Sequence, residues 1–122
     1  TPADLVESVS RGVDLFDCVM PTRNARNGQL FTFDGKINIR NAKYKSDFSP
    51  IDENKVSPMS ETYTKAYLHH LFKTEEILGY RIATQHNLYF YILLMKTMRE
   101  EIQKETFGSW SNIFLTRYNQ GS

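Results

Sequence analysis

The sequence predicts an α/β fold over residues 1–49, followed by a helical region over residues 50–120. Three observations support this. Residues 1–12 have the pattern of a helix that ends at a glycine. Residues Val13–Met20 are short, mostly apolar and followed by Pro21, which is typical of a buried strand in a parallel sheet. After about residue 60, apolar residues recur at helical spacing.

Composition excludes several classes of protein. The 122 residues fit a single domain. The chain has 15 basic and 14 acidic residues, a net charge of +1. Net charge therefore does not indicate nucleic-acid binding, and only a local basic patch could do so. A single cysteine, Cys18, excludes an internal disulfide framework and indicates a reducing compartment. The longest apolar run, Leu88–Met95, is too short to cross a bilayer. We therefore expect a soluble, cytoplasmic protein, and because residue 1 is not Met, a fragment of a longer chain is left open.

The first helix has clear sequence signals. Thr1 is the expected N-cap, and Pro2 suits the first helical position. Asp4 favours the positive end of the helix dipole, and Gly12 marks the end of the helix.

A β-hairpin is predicted next. Residues Thr22–Gly28 are expected to form a polar loop. The expected strands, Gln29–Phe33 and Lys36–Arg40, lie on either side of an Asp-Gly pair, which favours a tight turn. The polar segment Lys43–Pro58 contains two prolines and is interpreted as a loop.

Four helical stretches are predicted after the loop. Ser60 or Thr62 caps the first, and the second covers about residues 74–83 with an interruption at Gly79. The third covers about residues 85–105, and the fourth begins at Ser109. The third is expected to bury one apolar stripe. Its members are Leu88, Tyr91, Ile92, Met95, Met98 and Ile102.

Two carboxylates in the apolar strand are candidates for chemistry. Asp14 and Asp17 are three residues apart, so a strand would point them to opposite faces. Asp17 lies near the carboxyl end of the strand, where α/β barrels place catalytic groups. The alternative is that Asp17 caps the following loop or pairs with Arg23, and spacing alone leaves both open.

A second candidate is the basic segment after Pro21. Arg23 and Arg26 lie three residues apart with Asn24 and Asn27 beside them, groups that can bind a base edge or a phosphate. Scattered charge on a solvated loop is the alternative. Further basic residues follow at Lys36, Arg40, Lys43 and Lys45.

Histidine and cysteine patterns do not predict a metal site or a nucleophile. His69 and His70 are adjacent on a helix and cannot both face one metal, so helix-surface or core-edge positions are favoured. Cys18 lies within the apolar strand and is interpreted as a small buried apolar residue.

Residues 12–28, GVDLFDCVMPTRNARNG, resemble the active-site motif of bacterial tRNA-guanine transglycosylases, also called queuine tRNA-ribosyltransferases. The resemblance continues in unbroken order through four further blocks. These are INIRNAK at 37–43, AYLHHL at 66–71, EILG at 76–79 and HNL at 86–88. The resemblance implies the last strands and helices of a (β/α)8 TIM barrel, with a C-terminal helical subdomain like the family's zinc-binding region.

The resemblance also implies an activity. Bacterial members exchange the guanine at the wobble position of GUN-anticodon tRNAs for preQ1, in queuosine biosynthesis. Asp17 matches the nucleophile that attacks the ribose C1′ to give a covalent intermediate. Arg23 and Arg26 match residues that read the anticodon, and Thr22 and Asn24 of the same motif are assigned to RNA binding with them.

The family's zinc ligands are missing from this sequence. Lys55, Ser57 and Ser60 stand at the positions of the three cysteines, while His86 matches the zinc histidine. One neutral ligand cannot hold zinc tetrahedrally, so we expect no cofactor and a subdomain that folds without metal. Elemental analysis that found about one zinc per chain would contradict this expectation.

The chain also lacks most of the barrel that the resemblance implies. We expect it to be the C-terminal part of a longer enzyme or one half of a split active site, and to be inactive alone. The missing strands would hold the base pocket, so this sequence does not distinguish preQ1 from queuine as the incoming base. A homodimer formed through the helices at 60–118 is expected. The alternative function is a non-catalytic RNA-binding or dimerisation fragment.

Overall fold

The structure is a computed structural model that describes residues 1–10, 21–52, 57–58 and 62–121. It contains five α-helices and one two-stranded antiparallel sheet within these ranges. The helices are α1 (Pro2–Ser10), α2 (Pro21–Arg26), α3 (Lys65–Lys73), α4 (Ile77–Gln103) and α5 (Phe107–Gly121). The strands are β1 (Gln29–Thr32) and β2 (Gly35–Asn38), and a short 3-10 helix covers Ala42–Tyr44.

The predicted first helix is confirmed as α1. The hydroxyl of Thr1 accepts a hydrogen bond from the backbone N–H of Asp4 at 3.2 Å, as expected of an N-cap. The predicted buried strand, Val13–Met20, lies outside the described residues.

The predicted hairpin is also confirmed, with a turn one residue earlier than expected. Leu30 pairs with Ile37, and Thr32 pairs with Gly35, so the turn residues are Phe33 and Asp34. The Thr32 hydroxyl closes this turn by donating to the Gly35 carbonyl at 2.7 Å. At the tip, Asp34 forms a two-pronged ion pair with Arg117 of α5, and this guanidinium lowers the pKa of the Asp34 carboxyl.

The hairpin lies between two apolar clusters and contributes alternate residues of β1 to each. Leu30 packs into a first cluster with residues of α2, α3 and the N-terminal half of α4. Phe31 packs into a second cluster with α1, the C-terminal half of α4 and α5. Successive side chains of a strand point to opposite faces, so a four-residue strand can join both clusters. Residues from both predicted regions, 1–49 and 50–120, contribute to each cluster.

The first predicted loop and several helix boundaries are wrong, and the second predicted loop, where the structure describes it, is correct except at its start. The segment expected to be a polar loop begins with α2, and a 3-10 helix lies at the start of the second loop. Thr64, not Thr62, caps α3 by accepting from the backbone N–H of Tyr67, while Ser60 lies outside the described residues. The last helix begins at Phe107 instead of Ser109.

The two expected helices at 74–83 and 85–105 are one 27-residue helix, α4. Gly79 does not interrupt it, because this glycine is buried against α3. A Cβ added there would lie 3.0 Å from the Cβ of Leu71, so Gly79 allows the two helices to approach closely.

The apolar stripe predicted for this helix is only partly correct. Tyr91 and Met98 are buried, but Leu88, Ile92 and Ile102 are about half exposed. Phe90 and Leu94 are fully buried instead. The hairpin and α5 contact a face of α4 rotated from the one that sequence periodicity favours.

Candidate functional site

Asp17 lies outside the described residues, as do Asp14 and Cys18. The described elements on either side of this segment are α1 and α2. The role of Asp17 as a nucleophile therefore stays a prediction from the sequence.

The backbone of the predicted RNA-binding segment forms α2 and the turn that follows it. Ala25 anchors this helix, being fully buried in the first cluster beside Leu30 and Ile39. Gly28 ends the segment with φ +82°, a conformation that favours glycine, and its carbonyl accepts from the Ile39 N–H at 2.8 Å. The segment is thus fixed to the hairpin, which explains why it is not a free loop.

Arg26 is exposed at the end of α2. Its backbone carbonyl accepts a 3.5 Å hydrogen bond from Nη2 of Arg40, whose guanidinium carbon lies 5.2 Å from the ring centroid of Phe72. Arg40 therefore braces the backbone, while the Arg26 side chain extends from the surface. Positions 23 and 26 are three residues apart in a helix and so share one face of it.

Asn24 has a partner within the chain. Its Nδ2 donates to Oε1 of Gln29 at 2.9 Å, in a half-buried position. This bond joins α2 to the first residue of β1. The side chains of Thr22 and Arg23 lie outside what the structure describes.

Two histidines and an asparagine hold the hairpin from the helical side. His86 donates from Nε2 to the Phe31 carbonyl at 2.7 Å, and His69 donates from Nδ1 to the Ile39 carbonyl at 2.7 Å. Asn87 accepts from the Phe31 N–H at 3.1 Å and donates to the Gln29 carbonyl at 2.8 Å. The expectation of helix-surface or core-edge positions, made for His69 and His70, is confirmed for His70, which is exposed, while His69 is buried. His86 is buried as well.

Burial lowers the pKa of His86 below its ordinary value of 6.5, although its bond to Phe31 and the charge of Asp52 act in the opposite direction. Below about pH 6.5 the unfolded chain binds a proton at this histidine that the folded chain does not. We therefore expect His86 to make no change to the free energy of unfolding above pH 6.5. As the pH falls from 6.5 towards the lowered pKa, the free energy of unfolding should decrease. Urea unfolding between pH 5 and pH 8 measures this.

His86→Gln keeps a donor for the Phe31 carbonyl and removes the titration, so this variant should lose part of the pH dependence. His70→Gln removes an exposed imidazole instead, and should keep the decline that starts near pH 6.5. An unchanged pH profile in the His86 variant would show that another group is responsible.

The described residues do not fit a zinc ion. They contain no group of three or more His, Cys, Asp or Glu side chains placed to hold a metal. Two of the positions that match the family's zinc ligands are described. Ser57 is buried and offers only a hydroxyl, and one ring nitrogen of His86 is bonded to the Phe31 carbonyl. Lys55 and Ser60 lie outside the described ranges. Folding without metal stays a prediction.

Sequence reasoning did not predict the structural roles of Arg40 and Asn87. Arg40 was noted only as part of a basic stretch, although it supports the end of α2. Asn87 lies with Gln85 and His86 in a short polar interruption of a mostly apolar helical run, and this interruption is the one signal that could have indicated a buried hydrogen-bonding role. Within the described part of the chain, no helix is both long and apolar enough to span a membrane.

Comparisons with known proteins agree with the sequence motif. The family model for queuine tRNA-ribosyltransferase matches residues 1–120. A queuine tRNA-ribosyltransferase of Francisella tularensis subsp. novicida is 56% identical over 118 residues, which cover 97% of this chain and 32% of the relative. One of Helicobacter pylori is 51% identical over 122 residues, which cover 100% of this chain and 33% of the relative.

The chain therefore spans about a third of the length of the curated relatives that it matches. The resemblance predicted from residues 12–28 and the following blocks, to the C-terminal portion of this family, is confirmed. Since the family match covers nearly every residue, the chain belongs to the queuine tRNA-ribosyltransferase family.

Proposed function

We propose that this chain is the C-terminal part of a tRNA-guanine transglycosylase. The complete enzyme would exchange guanine at the wobble position of GUN-anticodon tRNAs for preQ1. The observation that carries the proposal is the family match over residues 1–120, together with 51–56% identity to relatives named queuine tRNA-ribosyltransferase. The chain would supply the nucleophile and part of the tRNA-binding surface, and the remaining two thirds of the polypeptide would supply the base pocket.

The proposed reaction consists of two displacements at one carbon. The Asp17 carboxylate attacks C1′ of the target nucleotide, the C1′–N bond breaks, and guanine leaves with the bonding electrons and takes up a proton. The incoming base then gives up a proton, its ring nitrogen attacks C1′, and the bond from C1′ to the aspartate oxygen breaks. Two inversions retain the configuration and regenerate the carboxylate, as in retaining glycosidases.

The proposed anticodon-reading residues are Arg23 and Arg26, with Thr22 and Asn24. The attachment of α2 to the hairpin supports this role, because a base-reading arginine needs a rigid support. Arg26 is exposed, as a group that contacts an unstacked base must be. Asn24 is hydrogen-bonded to Gln29. We therefore propose that its main role is to position α2, and that direct contact with RNA is secondary.

The architecture of the complete enzyme belongs to the same proposal. The mixed helices and strands are consistent with part of a larger domain, and we propose that residues 1–49 are barrel elements and residues 50–120 a helical subdomain. We also propose a homodimer formed through the helices at 60–118, acting in the cytoplasm.

The first experiment is exchange of radiolabelled guanine into a GUN-anticodon tRNA. We expect no exchange by the 122-residue chain alone, and exchange after the N-terminal portion is added or fused, since a barrel cannot close from its last strands. Circular dichroism shows whether the chain is folded in each sample. No exchange by the folded, complete polypeptide would refute the proposal, and exchange by the chain alone would refute the missing-pocket part of it.

A further inference from the structure

A groove of about 420 Å³ lies beside Arg26, between α2 and the N-terminal half of α4. Its lining includes Arg26 from α2 and, from α4, Ile77, Tyr80, Arg81, Gln85 and Leu88. It therefore begins at one of the residues assigned to anticodon reading. Neither the sequence motif nor the proposed reaction assigns a role to the residues that α4 contributes.

The charge of the groove suits an anion. Two arginines, Arg26 and Arg81, line it, and no Asp or Glu does so among the described residues. Within those residues, neither guanidinium forms an ion pair with an Asp or Glu side chain. Arginine is well suited to phosphate, because its planar guanidinium can donate two parallel hydrogen bonds to the phosphate oxygens.

The remaining surface of the groove suits a nucleobase. Ile77 is 67% exposed and Leu88 is 46% exposed, so both offer apolar area to a ligand. Tyr80 lies between them along α4, and its ring is fixed edge-on against Phe72 with the centroids 5.3 Å apart. Apolar and aromatic side chains bind unstacked bases of single-stranded RNA by their faces.

An unsatisfied amide supplies a further observation. Oε1 of Gln85 is buried and has no hydrogen-bond partner in the described chain. Leaving a buried polar atom unpaired is unfavourable, so a donor from outside these residues is expected. Gln85 lines the groove, so turning its amide towards a ligand would let the amino group of a nucleobase satisfy this oxygen.

From these observations we propose that the groove binds a single-stranded nucleotide next to the anticodon bases read by Arg26. Its phosphate lies between Arg26 and Arg81, and its base lies against the surface formed by Ile77, Tyr80 and Leu88. This subsite rests on the proposed function, because the RNA reaches the groove only if α2 contacts the anticodon loop.

Binding of an anticodon stem–loop to the complete polypeptide tests the charge of the subsite. Arg81→Gln should weaken binding about 5- to 30-fold at moderate salt. A plot of the logarithm of the association constant against the logarithm of the salt concentration should become less steep by about 0.7, the value for one phosphate of a single strand. Arg81→Lys should keep most of the slope. Arg99→Gln, an exposed arginine on the same helix, is the matched control and should stay within about twofold of wild type. Wild-type affinity and slope in Arg81→Gln would overturn the subsite.

Photocrosslinking identifies what occupies the groove. With benzoylphenylalanine at position 77, the complete polypeptide should crosslink to the stem–loop. Crosslinks only to its own chain or to a second copy would show that protein covers the groove, and would overturn the proposal. Guanine exchange by the wild-type protein is measured in parallel. Its absence refutes the proposed function, whereas exchange with normal binding by Arg81→Gln refutes only the subsite.

Discussion

Replacing Asp17 by Asn in the complete polypeptide is expected to reduce guanine exchange by at least about 10³-fold. The amide is nearly the same size as the carboxylate, but it carries no negative charge and cannot form the bond to C1′. The covalent RNA–protein adduct should disappear as well. Exchange of radiolabelled guanine and a denaturing gel of protein mixed with tRNA measure the two effects separately.

Asp14→Asn is the matched control for this prediction. Asp14 belongs to the same motif, and in the strand that the sequence predicts for Val13–Met20 its spacing from Asp17 would place the two side chains on opposite faces. We expect this control to retain most of the exchange activity and to form the adduct. If Asp17→Asn exchanged guanine at the wild-type rate, the nucleophile assignment would fall, although family membership would stand.

The second large effect is expected from Asn87→Leu. This amide bonds the Phe31 N–H and the Gln29 carbonyl, two groups at the edge of β1 that β2 does not satisfy. Leucine has a similar volume but leaves both backbone groups without their partner. We expect a loss of about 2–4 kcal/mol in the free energy of unfolding, since each buried unsatisfied group costs about 1–3 kcal/mol. Urea denaturation of the 122-residue chain measures it.

The control for Asn87 is the same substitution at an exposed asparagine of α5. Asn112→Leu removes no described hydrogen bond and should change the free energy of unfolding by about 0.5 kcal/mol or less. Equal losses in the two variants would show that the added leucine, and not the loss of the buried amide, is responsible. A small loss in Asn87→Leu would mean that water replaces the amide at β1.

The helix boundaries show why part of the fold could not be predicted from sequence. The ends of α3 and α4 are each followed by a glutamate in the left-handed conformation, Glu75 at φ 57° and Glu105 at φ 60°. Glycine normally occupies this position, so neither helix end carries the expected signal. Gly79, which resembled an interruption, instead lies in α4 because α3 packs against it.

For the candidate site, too, the sequence indicated some residues, and only the tertiary structure brought the others together. The motif at 12–28 indicated the family and its proposed nucleophile from residue identities in order, and the family comparison confirmed the first of these. No spacing in the sequence connects Arg26 with Arg81, which are 55 positions apart and line one groove only because α2 packs on α4. Asn87 and Phe31 are likewise joined across 56 positions.

The sequence by itself determined the elements whose signals are local: the capped helix α1, the hairpin and the family motif. Tertiary structure decided that residues 21–26 are helical, which face of α4 is buried, and which histidines become internal donors. The physical reason is that helix caps and tight turns are stabilised by neighbouring residues, whereas burial depends on contacts between distant segments. The polar segment becomes a fixed helix because Ala25 and Gly28 contact Leu30 and Ile39, and the segment alone does not show that these partners lie against it.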